Sequence, residues 1–195
     1  MEHKVKYIFK MLSAMCLELL IYVILHEGGH TIVALIAGAK ITEFNILVSN
    51  AHMAYEGGNF TPFLSMWIDA NGALVPLLVS YIYALLYRKK IKNHFYRIFS
   101  FLFCFVNAMS MMVWVISPFL FINGIKDMSD DSCKFIDKFN YYHNPLIISL
   151  VSFILVGIGI FLVLKKGIFK SFIEVIKEVR KEVETAGRDH DSTCS

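Results

Sequence analysis

The chain has 195 residues, room for one ordinary domain, yet 56% are apolar, 14% are aromatic and the mean hydropathy is +0.57. That is too apolar for a soluble core of this size, so the composition points to a membrane protein rather than a soluble globular domain. The net charge of +3 arises from clustered Lys and Arg, which speaks to membrane topology and sets nucleic acid aside as a partner.

Taken in order, Met1-Glu2-His3-Lys4-Val5-Lys6 followed by apolar residues resembles a leader peptide. The apolar run, however, continues past residue 30 through polar residues of catalytic type, so a retained membrane helix is expected. A span of the hydrocarbon core takes about 20 mainly apolar residues. Four segments are long enough: 7–37, 62–87, 95–122 and 145–164. Lys4, Lys6 and Lys10 precede the first; Arg88, Lys89, Lys90, Lys92 and Arg97 join the second to the third; Lys165, Lys166 and Lys170 follow the fourth. The segments 40–61 and 123–144 are acidic or balanced. Because Lys and Arg accumulate on the cytoplasmic side, all these segments agree on one topology, a multi-pass protein of the cell membrane with both termini in the cytoplasm.

After the last span, Ile168, Phe169, Phe172, Ile173, Ile176, Val179 and Val183 recur at helical spacing between charged residues. The pattern predicts an amphipathic cytoplasmic helix over 167–187, either on the membrane surface or solvated, and a polar, disordered tail over 188–195. Residues 1–166 form the transmembrane domain. Cys16, Cys104, Cys133 and Cys194 make no CxxC pair and indicate no disulfide framework.

Chemistry concentrates in His26-Glu27-Gly28-Gly29-His30, inside the first span. Helical residues four apart lie roughly 40° apart around the axis, so His26 and His30 project from one face and can share a metal ion, with zinc (Zn2+) the ion that suits them. Glu27 lies beside the pair, where its carboxylate can accept a proton from an attacking water as the catalytic general base. An ionised residue in a bilayer costs about 2.5–3.5 kcal/mol on insertion scales, which makes intramembrane ionisable residues functional candidates. The competing reading has both histidines hydrogen-bonded to neighbouring helices and Glu27 in an ion pair. Gly28 and Gly29 each sacrifice about 1 kcal/mol of helix propensity relative to Ala. They either open a face to a substrate backbone or serve helix packing.

The run from His26 to Phe44 resembles the first signature of the site-2 protease family of intramembrane zinc metallopeptidases. It combines His-Glu-x-Gly-His, a later Gly38 and a segment holding Glu43-Phe44. The resemblance implies that His26 and His30 bind zinc, that Glu27 activates water, and that 40–48 forms an extended strand or hairpin dipping toward the site. Asp69-Ala70-Asn71-Gly72-Ala73-Leu74-Val75-Pro76 loosely resembles the family's Gly-Pro-x-x-Asn-like break. Asn71 would then hydrogen-bond substrate; the alternative is a kink in a spanning helix. The family's third ligand is an Asp followed by Gly, and this chain has no Asp-Gly. By resemblance Asp131 is the best candidate, because Phe135 and Ile136 follow where the family places apolar residues; Asp130 and then Asp127 compete.

These readings combine into an all-α membrane protein of about four transmembrane helices, with a short hairpin near the active site and a C-terminal amphipathic helix. The expected function is zinc-dependent, membrane-embedded metalloprotease action on membrane-protein or peptide substrates. Two alternatives stand beside it: an inactive membrane binding or immunity-type protein of the same fold, and a prenyl-protein-type zinc peptidase whose third ligand is a Glu.

Overall fold

The computed structural model describes residues 2–141 and 143–192, side chains excepted at 2–4 and 186–192. Four helical spans are long and apolar enough to cross a membrane: Val5–Ile36, Pro62–Leu86, His94–Ile122 and Leu146–Lys165. They match the four segments expected from hydropathy to within two residues at each end. The first helix, α1 (Glu2–Ile36), has 35 residues and is therefore about 52 Å long. A hydrocarbon core is about 30 Å thick, so α1 has several turns to spare.

Gly38, with φ of 78°, ends α1. Its N–H donates to Leu35 O, and Ala39 N–H reaches back to Ala34 O, which closes the helix end with the left-handed residue that glycine tolerates best. The chain then enters a hairpin of β1 (Lys40–Asn45) and β2 (His52–Glu56), paired antiparallel with Lys40 opposite Glu56 and Asn45 opposite His52. The expected extended segment is therefore a two-stranded sheet, turned by a short 3-10 helix at Val48–Asn50.

Helix α2 (Pro62–Leu86) starts on Thr61, whose side chain accepts the Leu64 N–H, with Pro62 where a missing N–H costs nothing. The third span divides at Met111 into α3 (His94–Ser110) and α4 (Met112–Ile122). Next to the break, Asn107 Nδ2 donates to Phe103 O and Ser110 Oγ to Asn107 O, so side chains compete there for backbone carbonyls. After α4 come the short α5 (Asp131–Asn140), the spanning α6 (Leu146–Lys165) and α7 (Ile168–Ser192). The main core, with Leu77, Ala108, Trp114, Ile136 and Val156, lies among α2 to α6.

The amphipathic pattern after residue 166 is helical, and α7 continues through 188–192, residues whose composition suggested a tail. Its stripe meets protein: Val175 is fully buried with Ala14 of α1 and Ile98 of α3, and Ile168 packs with Tyr87 and Cys104. Buried Arg97 of α3 bonds Glu174 at 2.9 Å and Glu178 at 3.0 Å, fastening α7 to the bundle. Phe169 and Ile176 are the parts of the stripe left exposed. Cys16, Cys104 and Cys133 are free thiols, and Cys194 lies outside the described residues.

Candidate metal centre

The site forms where α1, α2, α5 and the hairpin meet. His26 and His30 project from one face of α1 with their Nε2 atoms 3.3 Å apart. Asp131, the first residue of α5, places Oδ2 3.4 Å from His26 Nε2 and 3.1 Å from His30 Nε2. Among the described residues these three form the group of His, Cys, Asp and Glu side chains able to converge on one ion.

The three acids expected to compete have separate roles. Asp127 accepts the N–H and hydroxyl of Ser129 in the loop. Asp130 caps α5 by accepting the Cys133 N–H and the Ser132 hydroxyl. Asp131, one residue on, faces the imidazoles. Burial alone would raise its pKa, but His26 and His30, when protonated on Nε2 in the metal-free site, outweigh burial and hold the carboxyl far below the usual range. Lys134 Nζ takes its other oxygen at 3.0 Å.

Tetrahedral zinc with ligand bonds of about 2.0–2.2 Å sets its donor atoms about 3.3 Å apart. The observed 3.1, 3.3 and 3.4 Å fit that spacing. The orientation of His30 fits as well: its Nδ1 lies 2.6 Å from Ile68 O, a contact that requires the proton on Nδ1 and leaves Nε2 free as a ligand. His26 stacks on Tyr22 at 5.8 Å, and its Nδ1 is buried with no partner among the described residues.

Glu27 is 6% exposed and lines, with both histidines and Asp131, a polar cavity of about 510 Å3. The hairpin contributes His52 and Tyr55 to the same cavity. His52 Nε2 lies 3.2 Å from Glu43 Oε1, and its Nδ1 lies 2.9 Å from Asn50 O. The Asn50 carbonyl, then Glu43, raise the His52 pKa. Asn71 is in α2 beside the centre, but its side chain donates to Trp67 O of its own helix at 2.7 Å, and it is not part of the cavity lining.

The two glycines of the motif separate by role. A Cβ on Gly29 would sit 2.1 Å from Asn71 O, so Gly29 is where α1 and α2 touch. A Cβ on Gly28 meets nothing within 4 Å. Gly72, noted from the sequence only within the Asp69–Pro76 segment, has a further role: a Cβ there would lie 2.5 Å from His30 Nε2 and 2.8 Å from His26 Cε1. Asp69, which opens the same segment and had no role assigned to it, is a buried acid of α2 bonded to Lys138 Nζ at 2.6 Å. An acid inside a span was the available signal for Asp69. For Gly72 the local signal pointed only to a kink in the helix.

A family model described as Peptidase M50B-like matches residues 7–125, which take in the His-Glu-Gly-Gly-His motif, the hairpin and α2 to α4. No curated protein and no solved structure matches the chain. With more than half of its length matched, and with a mainly helical fold of four candidate spans around the paired histidines, the chain belongs to the M50B-like peptidase family.

Proposed function

We propose that the protein is a zinc-dependent endopeptidase that cuts peptide bonds of membrane-associated substrates at or within the bilayer. The observation that carries this reading is the convergence of His26, His30 and Asp131 on one point beside buried Glu27. His26 and His30 would hold the ion through Nε2 and Asp131 through Oδ2. Zinc held there supplies Lewis acidity, polarising a carbonyl and making water a nucleophile near neutral pH. Glu27 takes the proton from the attacking water and returns it to the leaving amine.

The hairpin residues His52 and Tyr55 line the same cavity as the motif, whose volume of about 510 Å3 leaves room for an unwound stretch of substrate, since a helical backbone hides its carbonyls. A prenyl-protein-type centre needs a Glu from a later helix as its third ligand; here the group that converges takes Asp131. The positive segments support cytoplasmic termini, which puts the centre toward the opposite face of the cell membrane.

The test uses detergent-purified protein and a mixture of quenched fluorescent peptides. Cleavage should disappear with a zinc chelator and return with added zinc. Glu27→Gln should keep its metal and lose about 10²–10⁴-fold in rate. Undiminished cleavage by Glu27→Gln would overturn the reading.

A further inference from the structure

One turn of α2 touches both histidines and the glycine between them. Ile68 O receives His30 Nδ1 at 2.6 Å, Asn71 O lies against Gly29, and Gly72 leaves the space that both imidazole rings occupy. The third ligand comes from elsewhere. Helix α5 has 10 residues and lies outside the spans, and isolated helices shorter than about 12–15 residues are marginal. Buried Ile136 packs α5 into the core and the Ser132 hydroxyl lies 2.7 Å from that of Ser117 in α4, so what is left to fix is the face that carries Asp131 toward the histidines.

Asp131, Lys134 and Lys138 occupy one face of α5, at i, i+3 and i+7. At the far end of that face, Lys138 Nζ bonds Asp69 Oδ2 and Ser65 O of α2, each at 2.6 Å. The Asp69 side chain is 9% exposed and that of Lys138 37%, so the acid is held in the protein while the ammonium that reaches it stays partly open to water.

We propose that Asp69 and Lys138 are positioning residues of the metal centre: their salt bridge sets α5 on α2 so that Asp131 meets His26 and His30. The inference rests on the reading of those three residues as ligands. Through the pair, the α2 turn that orients His30 also sets the place of the acid. Neither member needs to touch the ion.

Single replacements also change the charge near the ion, because Asp69 lines the same cavity. The charge-neutral double variant Asp69→Asn/Lys138→Met separates position from charge. Its zinc Kd, read against a competing chelator, is expected to be about 10–100-fold weaker than wild type, the usual effect of losing support behind a ligand. Lys138→Arg, which keeps the bridge, is expected to stay within about threefold of wild type. Asp131→Ala loses zinc on purification but keeps both imidazoles, so its weak Kd is read by titration with excess zinc; in that background the double replacement should cost nothing further, since the pair acts through Asp131.

Amide exchange should quicken over residues 131–140 and stay unchanged in α1 and α6. A double variant that keeps the wild-type Kd, loses as much affinity without Asp131, or exchanges faster throughout would overturn the proposal. One zinc in wild type with an unchanged Kd in the double variant would sink this inference alone. No zinc in wild type would remove the ligand reading as well.

Discussion

His30 Nδ1–H donates to the Ile68 carbonyl across 2.6 Å, so a residue of α2 fixes which nitrogen of an α1 histidine would be free to bind a metal. Four residues further along α2, Gly72 lies against both rings. The histidine-bearing face of α1 is thus shaped by its neighbour as much as by its own motif.

Gly72→Ala should show this. A Cβ 2.5 Å from His30 Nε2 forces the imidazoles out of register, while Ala in a helix gains about 1 kcal/mol of propensity over Gly. The expected outcome is zinc binding weakened by tenfold or more with the metal-free melting temperature kept or raised. Zinc titration and thermal denaturation in detergent read both.

Gly28 and Gly29 should respond oppositely to Ala. At Gly29 the new methyl meets the Asn71 carbonyl at 2.1 Å, and forcing α1 from α2 should cost about 1–3 kcal/mol. At Gly28 nothing lies within 4 Å, so the change should be neutral or stabilising by up to about 1 kcal/mol. Equilibrium unfolding of the two variants distinguishes them.

The hairpin carries a pH-dependent contact. The His52 pKa is raised by the Asn50 carbonyl and then by Glu43. A raised folded-state value means that the contact is fully present below about pH 6.5, the unfolded value, and is lost as pH rises through the folded one. The ring resonances of His52 should titrate above about 6.5. Glu43→Gln should move that titration only part of the way back, because the Asn50 contact is the larger cause. An unshifted titration in wild type would contradict this reading.

The seam between α3 and α7 should be asymmetric to mutation. Arg97 has a side chain 3% exposed, whereas Glu174 and Glu178 are 47% and 44% exposed. Arg97→Met leaves carboxylates that water can reach, at a cost of about 1–2 kcal/mol. Glu174→Gln/Glu178→Gln leaves a buried guanidinium without ionic partners and should cost more, about 3 kcal/mol. Melting temperatures of the two variants give the order.

The four spans and the motif could be read from the chain because both are local: a run of apolar residues and a four-residue spacing are complete within one helix. The hairpin was legible through its family resemblance. Asp131 could be narrowed to a cluster of acids, but its separation from Asp130 depends on which residue caps α5, a detail of three-dimensional turn geometry. Asp69 and Lys138 are 69 positions apart, and Gly72 matters only because of rings carried by another helix. The stripe of α7 was visible, but its partners Ala14 and Ile98 were not, so it was expected on the membrane surface or in solvent and not against the bundle.

The most direct measurement is zinc content per chain in detergent-purified wild type, Glu27→Gln, His30→Ala and Asp131→Ala. One zinc in wild type and in Glu27→Gln, with loss in the other two, is the predicted result. A wild type without zinc, or full occupancy in His30→Ala or Asp131→Ala, would contradict a centre built from His26, His30 and Asp131.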